Sequence, residues 1–83
     1  MAVELARRRV RVNTVSPGVV RTPMTDAAFS VLSAEQVTTI EQKHPLGTGT
    51  ALDVARAVLF LMAPATKWIT GTDLVVDGGY SAQ

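Results

Sequence analysis

The apolar positions of this chain fall into segments of different period, and each segment predicts a different element. Residues 2–9 are helix formers with no Ser, Thr, Asp or Asn ahead of them to cap a start, so they read as the last turns of a helix. Val10 and Val12 then alternate with Arg11 and Asn13, and Val15 closes the run, which predicts a half-buried strand over 10–15. Ser16-Pro17-Gly18 ends that strand, because proline has no N–H to donate and glycine permits a sharp turn. Residues 19–28 contain Pro23 and show no period, so they read as loop. Ser33, with Glu35 and Gln36 behind it, predicts a capped helix running to the neighbourhood of His44-Pro45. After a loop with two glycines at 46–50, Asp53 suits a helix N-terminus by its charge. Val54, Ala55, Val58, Leu59, Leu61 and Met62 then cover most of a helix circumference, which predicts a helix buried on more than one side and stopped by Pro64. Residues 69–76 read as a second strand whose apolar run Leu74-Val75-Val76 suits a parallel sheet covered on both faces. Asp77-Gly78-Gly79 ends it.

Strand, helical crossover, strand is one βαβ-like unit, expected to be right-handed. Two parallel strands do not make a stable domain, so other elements have to complete the sheet. Composition sharpens that point. The chain has 83 residues, of which 47% are hydrophobic, a high share for so small a domain with little core to fill. The expectation is a segment of a larger protein whose apolar faces are met by other elements. No cysteine is present, which excludes disulfides and thiolate metal sites, and His44 has no second His or carboxylate at ligand spacing, so no metal site is expected. The apolar stretch 57–65 is too short to span a bilayer, and the N-terminus lacks the pattern of a secretory signal, which reads as a cytoplasmic protein without membrane contact. A net charge of +1 argues against nucleic acid as a partner. The one basic cluster, Arg7, Arg8, Arg9 and Arg11, reads as a helix end where cations complement the dipole.

Four blocks in order carry a resemblance. Arg11-Val-Asn-Thr-Val-Ser-Pro-Gly-Val-Val-Arg-Thr-Pro is followed by Pro45-Leu-Gly, then by Asp53-Val-Ala-Arg-Ala-Val-Leu-Phe-Leu, then by Ile69-Thr-Gly-Thr-Asp-Leu-Val-Val-Asp-Gly-Gly-Tyr. Together they resemble the C-terminal third of short-chain dehydrogenases/reductases, with 3-oxoacyl-carrier-protein reductases and glucose dehydrogenases the most similar members. The resemblance implies an α/β fold, the C-terminal part of a Rossmann-type doubly wound parallel sheet, with the whole of 1–83 an incomplete segment of that domain. It also implies NAD or NADP as cofactor of the parent enzyme, a small carbonyl or alcohol substrate, and a homo-oligomer formed through the last helix and strand.

Site residues follow from the same resemblance. The stretch after the penultimate strand, here Pro17, Gly18, Val20 and Thr22, is implied to hold the nicotinamide carboxamide. A carboxamide needs both a donor and an acceptor, which the Val20 N–H and the Thr22 hydroxyl can supply. Taken alone, the same residues are an ordinary Pro-Gly turn with a capping threonine. Residues 24–45 correspond to a substrate lid, in which Met24 and Phe29 are candidate substrate contacts or, equally, packing residues. His44 reads as a solvated or internally satisfied loop histidine. Asp26, Glu35, Glu41 and Asp73 read as surface or capping residues, Asn13 as a partner of nearby backbone, and Asp77 as a tie for the C-terminal turn.

Catalytic residues are not expected within these 83. Carbonyl reduction by hydride needs a proton donor near the forming alkoxide, which the family supplies with a Tyr-x-x-x-Lys pair and an upstream Ser. Tyr80 is the only tyrosine and has no lysine four residues on, and Lys43 and Lys67 are the only lysines. Gly47-Thr-Gly49 follows no predicted strand and is not the Gly-rich pyrophosphate turn. The family's pair is expected upstream in the helix whose tail is 2–9, so this chain alone is expected to bind cofactor weakly at most. One departure is Thr48, where the family commonly has Arg. The rival reading is a non-catalytic oligomerisation or interaction module derived from the same fold.

Overall fold

The computed structural model describes residues 1–83. Helix α1 (Ala2–Ala6) is short and uncapped by any side chain, and the chain turns through Arg9 in the left-handed region (φ 61°). Strand β1 (Thr14–Pro17) pairs in parallel with β4 (Asp73–Val76), in the register Thr14↔Asp73 to Pro17↔Val76. A second parallel pair joins β2 (Val20–Arg21) to β3 (Gly49–Thr50). Between the strands lie α2 (Pro23–Phe29), α3 (Ala34–Gln42) and α4 (Ala51–Met62), with 3₁₀ turns at Pro64–Thr66 and Tyr80–Ala82. The fold is α/β with parallel strands joined by helices, as expected. No helix is long and apolar enough to cross a membrane.

Both strands of the main pair are shorter than the alternation predicts, because side chains take over at their start. The Asn13 amide donates to the Ile69 carbonyl at 3.1 Å and its oxygen accepts from the Thr72 N–H at 3.0 Å. Val12 likewise receives the Gly71 N–H and donates to the Thr70 hydroxyl. The ladder therefore starts at Thr14 rather than Val10, and reaches Pro17 rather than stopping at Val15. Proline is tolerated there because Thr14 and Gly18 donate to the Thr72 and Val76 carbonyls, and the alternation turns the Pro17 nitrogen away from β4.

Residues 19–28 are not a loop. They form β2 and α2, and the reason is local. Thr22 stands at the N-cap with its side chain accepting from the Thr25 N–H, and the Thr25 hydroxyl accepts in return from the Thr22 N–H at 2.7 Å. Pro23 occupies the first helical position, where a missing N–H costs nothing and a fixed φ helps. Helix α3 starts at the predicted cap, with Ser33 and Gln36 exchanging bonds. Helix α4 starts the same way, from Thr50 to Asp53, and ends where Ala63 is forced into an extended conformation ahead of Pro64.

Helix α4 packs on β1 and β4 but is not buried on several sides within this chain. Only Leu61 is buried along it, while Leu52, Leu59, Phe60 and Met62 are exposed. Across the molecule three residues are buried: Leu61, Thr66 and His44. The radius of gyration is 16.0 Å, against about 12 Å for a compact chain of this length. The accessible surface is 6325 Å², against about 4,800 Å² for a compact protein of this mass. A helix on a two-stranded sheet has one covered face, and the predicted all-round burial needs further elements.

Candidate functional site

The turn from Pro17 to Thr22 leaves the carboxyl end of β1 and passes beside the carboxyl end of β4, the edge at which open α/β sheets bind ligands. Gly18 sits where nothing larger fits. A Cβ there would lie 2.9 Å from the Asp77 Cβ, 3.0 Å from the Asp77 Cα and 3.1 Å from His44 Nε2. The two chain segments touch backbone to backbone at this point, and the Gly18 N–H donates to the Val76 carbonyl at 3.0 Å.

Val20 is held by β3. Gly49 donates to the Val19 carbonyl at 3.0 Å, and in a parallel pair of that register the Val20 N–H points away from β3. Two residues on, capping uses one lone pair of the Thr22 hydroxyl. The Thr25 hydroxyl donates its proton to the Val20 carbonyl at 2.6 Å and lies 3.3 Å from the Thr22 hydroxyl, which can turn its own proton that way, so the Thr22 hydroxyl keeps a lone pair for another partner. An N–H and a hydroxyl two residues apart, on backbone fixed by a ladder on one side and a capping box on the other, are thus preorganised for a planar group that both donates and accepts.

Two cavities flank the turn. One, of about 350 Å³, is lined by Val19, Val20, Thr48, Asp53, Val76 and Asp77 among others. The other, of about 400 Å³, is lined by Pro17, Gly18, Ile40, His44 and Tyr80 among others. Thr22, Met24 and Phe29 line neither. Met24 projects from α2 and is 82% exposed. Phe29 is half-buried beneath the Arg21 guanidinium, 4.6 Å from its ring centre. Arg21 also pairs with Asp26 at 2.5 Å and reaches Glu41 at 3.9 Å, joining β2, α2 and α3. Asp26 and Glu41 are therefore surface charges as expected, with a shared partner that the spacing alone does not reveal.

The carboxylates near the turn are structural. The Thr50 N–H, then the Thr50 hydroxyl, hold the Asp53 carboxyl below its ordinary pKa. Asp77 is held below its own chiefly by the Ser81 side chain, aided by the N–H groups of Ser81 and Gly79. It ties the C-terminal turn, as expected. His44 is the residue whose place the sequence leaves least visible. Its ring is 5% exposed, stacks on Tyr80 at 5.0 Å, and bonds at both nitrogens. Nδ1 lies 2.9 Å from the Ile40 carbonyl, and Nε2 accepts the Val19 N–H at 3.3 Å. A satisfied histidine was one of the two expectations, a solvated one the other, and the imidazole is satisfied. The Ile40 partner is legible as a helical neighbour four residues back, whereas Val19 lies 25 positions away and has no sequence signal.

Comparison with known proteins gives the family. A family model described as Enoyl-(Acyl carrier protein) reductase matches residues 1–81. The chain is 44% identical over 80 residues to a 3-oxoacyl-[acyl-carrier-protein] reductase, FabG, of Chlamydia pneumoniae, covering 95% of this chain and 31% of that protein. Among solved structures, a 4-hydroxyisoleucine dehydrogenase complexed with NADH superposes on 100% of this chain and 34% of its own, with a TM-score of 0.89 and 33% identity. ElxO with NADP bound superposes on 99% of this chain and 33% of its own, with a TM-score of 0.84 and 37% identity. The chain spans about a third of the length of the relatives it matches.

Proposed function

The chain belongs to the short-chain dehydrogenase/reductase family, and we propose that it is the C-terminal part of an NAD(P)-dependent oxidoreductase acting on a small ketone or alcohol. In that reading Pro17, Gly18, Val20 and Thr22 hold the nicotinamide carboxamide, residues 24–45 form the substrate lid, and proton donation to the substrate comes from residues outside this chain. The observation that carries it is the pairing of the outward Val20 N–H with the half-used Thr22 hydroxyl at the carboxyl end of a parallel strand. When bound, the cofactor supplies the hydride or accepts it. Val20 donates to the carboxamide oxygen, and Thr22 engages the amide nitrogen with its free lone pair. Gly18 lets the turn lie against Asp77, which fixes where those two groups point. Arg21 holds α2 and α3 together as a lid, with Met24 on its open side.

Thr22 variants test the reading because they separate its two tasks. Thr22→Ser keeps both the cap and the hydroxyl. Thr22→Gly keeps most of the cap, since glycine is tolerated at the N-cap at a cost of only about a few tenths of a kcal/mol, but removes the hydroxyl and its lone pair. In the assembly that holds this chain in its own cells, Ser is expected to preserve NADH- or NADPH-dependent reduction of a ketone panel. Gly is expected to weaken cofactor binding about tenfold while leaving the fold intact, the usual scale for one lost hydrogen bond at a buried ligand. Equal cofactor affinity in the two variants would remove Thr22 from the site. The rival reading, a non-catalytic module, is favoured if that assembly oxidises neither nucleotide with any substrate tried.

A further inference from the structure

We propose that His44 is the positioning residue of the nicotinamide turn, coupling it to the lid through one imidazole; this rests on the reading of residues 17–22 given above. The ring is a bridge with a defined polarity. Its Nδ1 lies 2.9 Å from a carbonyl, which can only accept, so Nδ1 carries the proton and donates to Ile40. Nε2 is then an acceptor, and the bond it receives comes from the Val19 N–H, one residue before the Val20 N–H that faces the carboxamide. Ile40 belongs to α3, within the lid. One neutral tautomer thus satisfies both ends, and no other form of the ring does.

The surroundings hold the ring in that pose. Tyr80 stacks on it at 5.0 Å with 29° between the planes. A Cβ on Gly18 would come within 3.1 Å of Nε2, so the turn lies directly against the imidazole edge. The Gln83 side chain donates to the Lys43 carbonyl at 2.6 Å, tying the C-terminal residues to the backbone just before His44. The imidazole is the Val19 N–H's partner within the chain, and removing that acceptor leaves the N–H without a protein partner. The Gly18–Val19 peptide, to which that N–H belongs, then loses its anchor, and the adjoining Val19–Val20 peptide that carries the Val20 N–H is held by Gly49 alone, so the loss falls on the carboxamide contact rather than on the rest of the cofactor.

The test compares the nicotinamide cofactor with ADP-ribose, which has the same adenine, riboses and pyrophosphate but no nicotinamide. His44→Phe keeps the ring, its volume and its stacking and removes both nitrogens. His44→Gln restores an acceptor at the reach of Nε2. With the variants expressed in the native cells, so that the chain keeps its own assembly, wild type is expected to bind the full cofactor more tightly than ADP-ribose. His44→Phe is expected to lose about tenfold of that preference with ADP-ribose affinity unchanged, and His44→Gln to recover most of it. Equal weakening of both ligands by His44→Phe, or an undiminished preference, overturns the proposal. A wild type without any preference overturns the carboxamide reading itself and this proposal with it. Should His44→Phe fail to fold, the wild-type protein still decides. Long-range ¹⁵N–¹H spectra are expected to show a protonated Nδ1 and an accepting Nε2 whose shift moves with NADH and not with ADP-ribose. The opposite tautomer, or identical responses to both ligands, counts against it.

Discussion

Arg9 stands at φ 61°, the only non-glycine residue of the chain in the left-handed region. Its position is dictated by the closing of α1, where Arg8, Arg9 and Val10 donate back to the Leu5 and Ala6 carbonyls before the chain runs into Arg11. A side chain in that conformation crowds the following carbonyl, at a cost of about 1–2 kcal/mol, and glycine does not pay it. Arg9→Gly is therefore expected to stabilise the protein by about 1 kcal/mol, net of the extra freedom glycine gains when unfolded. Arg9→Ala supplies the control, because it removes the charge and the long side chain but keeps the Cβ. Denaturant midpoints of the two variants discriminate between causes: a gain for glycine alone identifies backbone strain, whereas equal gains would trace the effect to repulsion among Arg7, Arg8, Arg9 and Arg11. Gly18 shows the reverse constraint, since its need for glycine comes from the approach of Asp77 rather than from its own dihedral.

Among the elements, the β1–β4 ladder carries a pH dependence whose sign follows from one carboxylate. Asp73 Oδ1 accepts the Ser16 hydroxyl at 2.7 Å and the Thr14 hydroxyl at 2.8 Å, and these bonds, Ser16 first, hold its pKa below the ordinary 3.8. A carboxylate with a depressed folded-state pKa adds stability that is fully present above its unfolded value and is lost as pH falls through the lower, folded value. The difference in thermal midpoint between wild type and Asp73→Asn is expected to be constant near neutral pH and to close once pH drops below 3.8. Glu4, Asp53 and Asp77 titrate in both proteins and cancel in that difference; a gap that persists into acid would assign the effect to geometry instead of charge. The same ladder shows what a sequence can and cannot disclose. The caps at Ser33 and the stop at Pro64 were legible because each depends on residues within four positions. Helix α2 is hidden in the sequence because its capping box uses Thr25 where Glu or Gln is the usual signal, and Pro23 is a first-turn residue rather than a breaker. The start of β1 was misplaced because Asn13 bonds residues nearly sixty positions away. In the candidate site, the turn residues were legible from their motif, whereas the crowding at Gly18 and the His44 bridge come from pairings of distant segments.

At the scale of the whole molecule, the apolar pattern and the surface area make the same demand. The accessible surface exceeds that of a compact protein of 8.8 kDa by roughly 1,500 Å², about twice what one partner buries in a standard protein interface. Much of the surplus is apolar and close together in sequence: Leu52, Leu59, Phe60 and Met62 of α4, and Trp68, which is 95% exposed. At about 25 cal/mol per Å² of apolar surface, leaving such side chains in water forfeits several kcal/mol, comparable to the whole stability of a small domain. The sheet is open as well, since β1 has one strand partner and the alternation that points Thr14 and Gly18 toward β4 points the Val15 N–H the other way. Purified alone at micromolar concentration, the chain is expected to sediment as mixed or larger species. Leu59→Lys together with Phe60→Lys is expected to shift that distribution toward the monomer, because both side chains lie on the exposed surface of α4. A single sharp monomer boundary for the wild-type chain, with protected amides in β1 and β4, would mean that the two-stranded sheet is self-sufficient and that the exposed face of α4 needs no cover. Mixed species that the lysine pair leaves unchanged would instead place the contact at the open edge of β1, where backbone rather than side chains makes the bond.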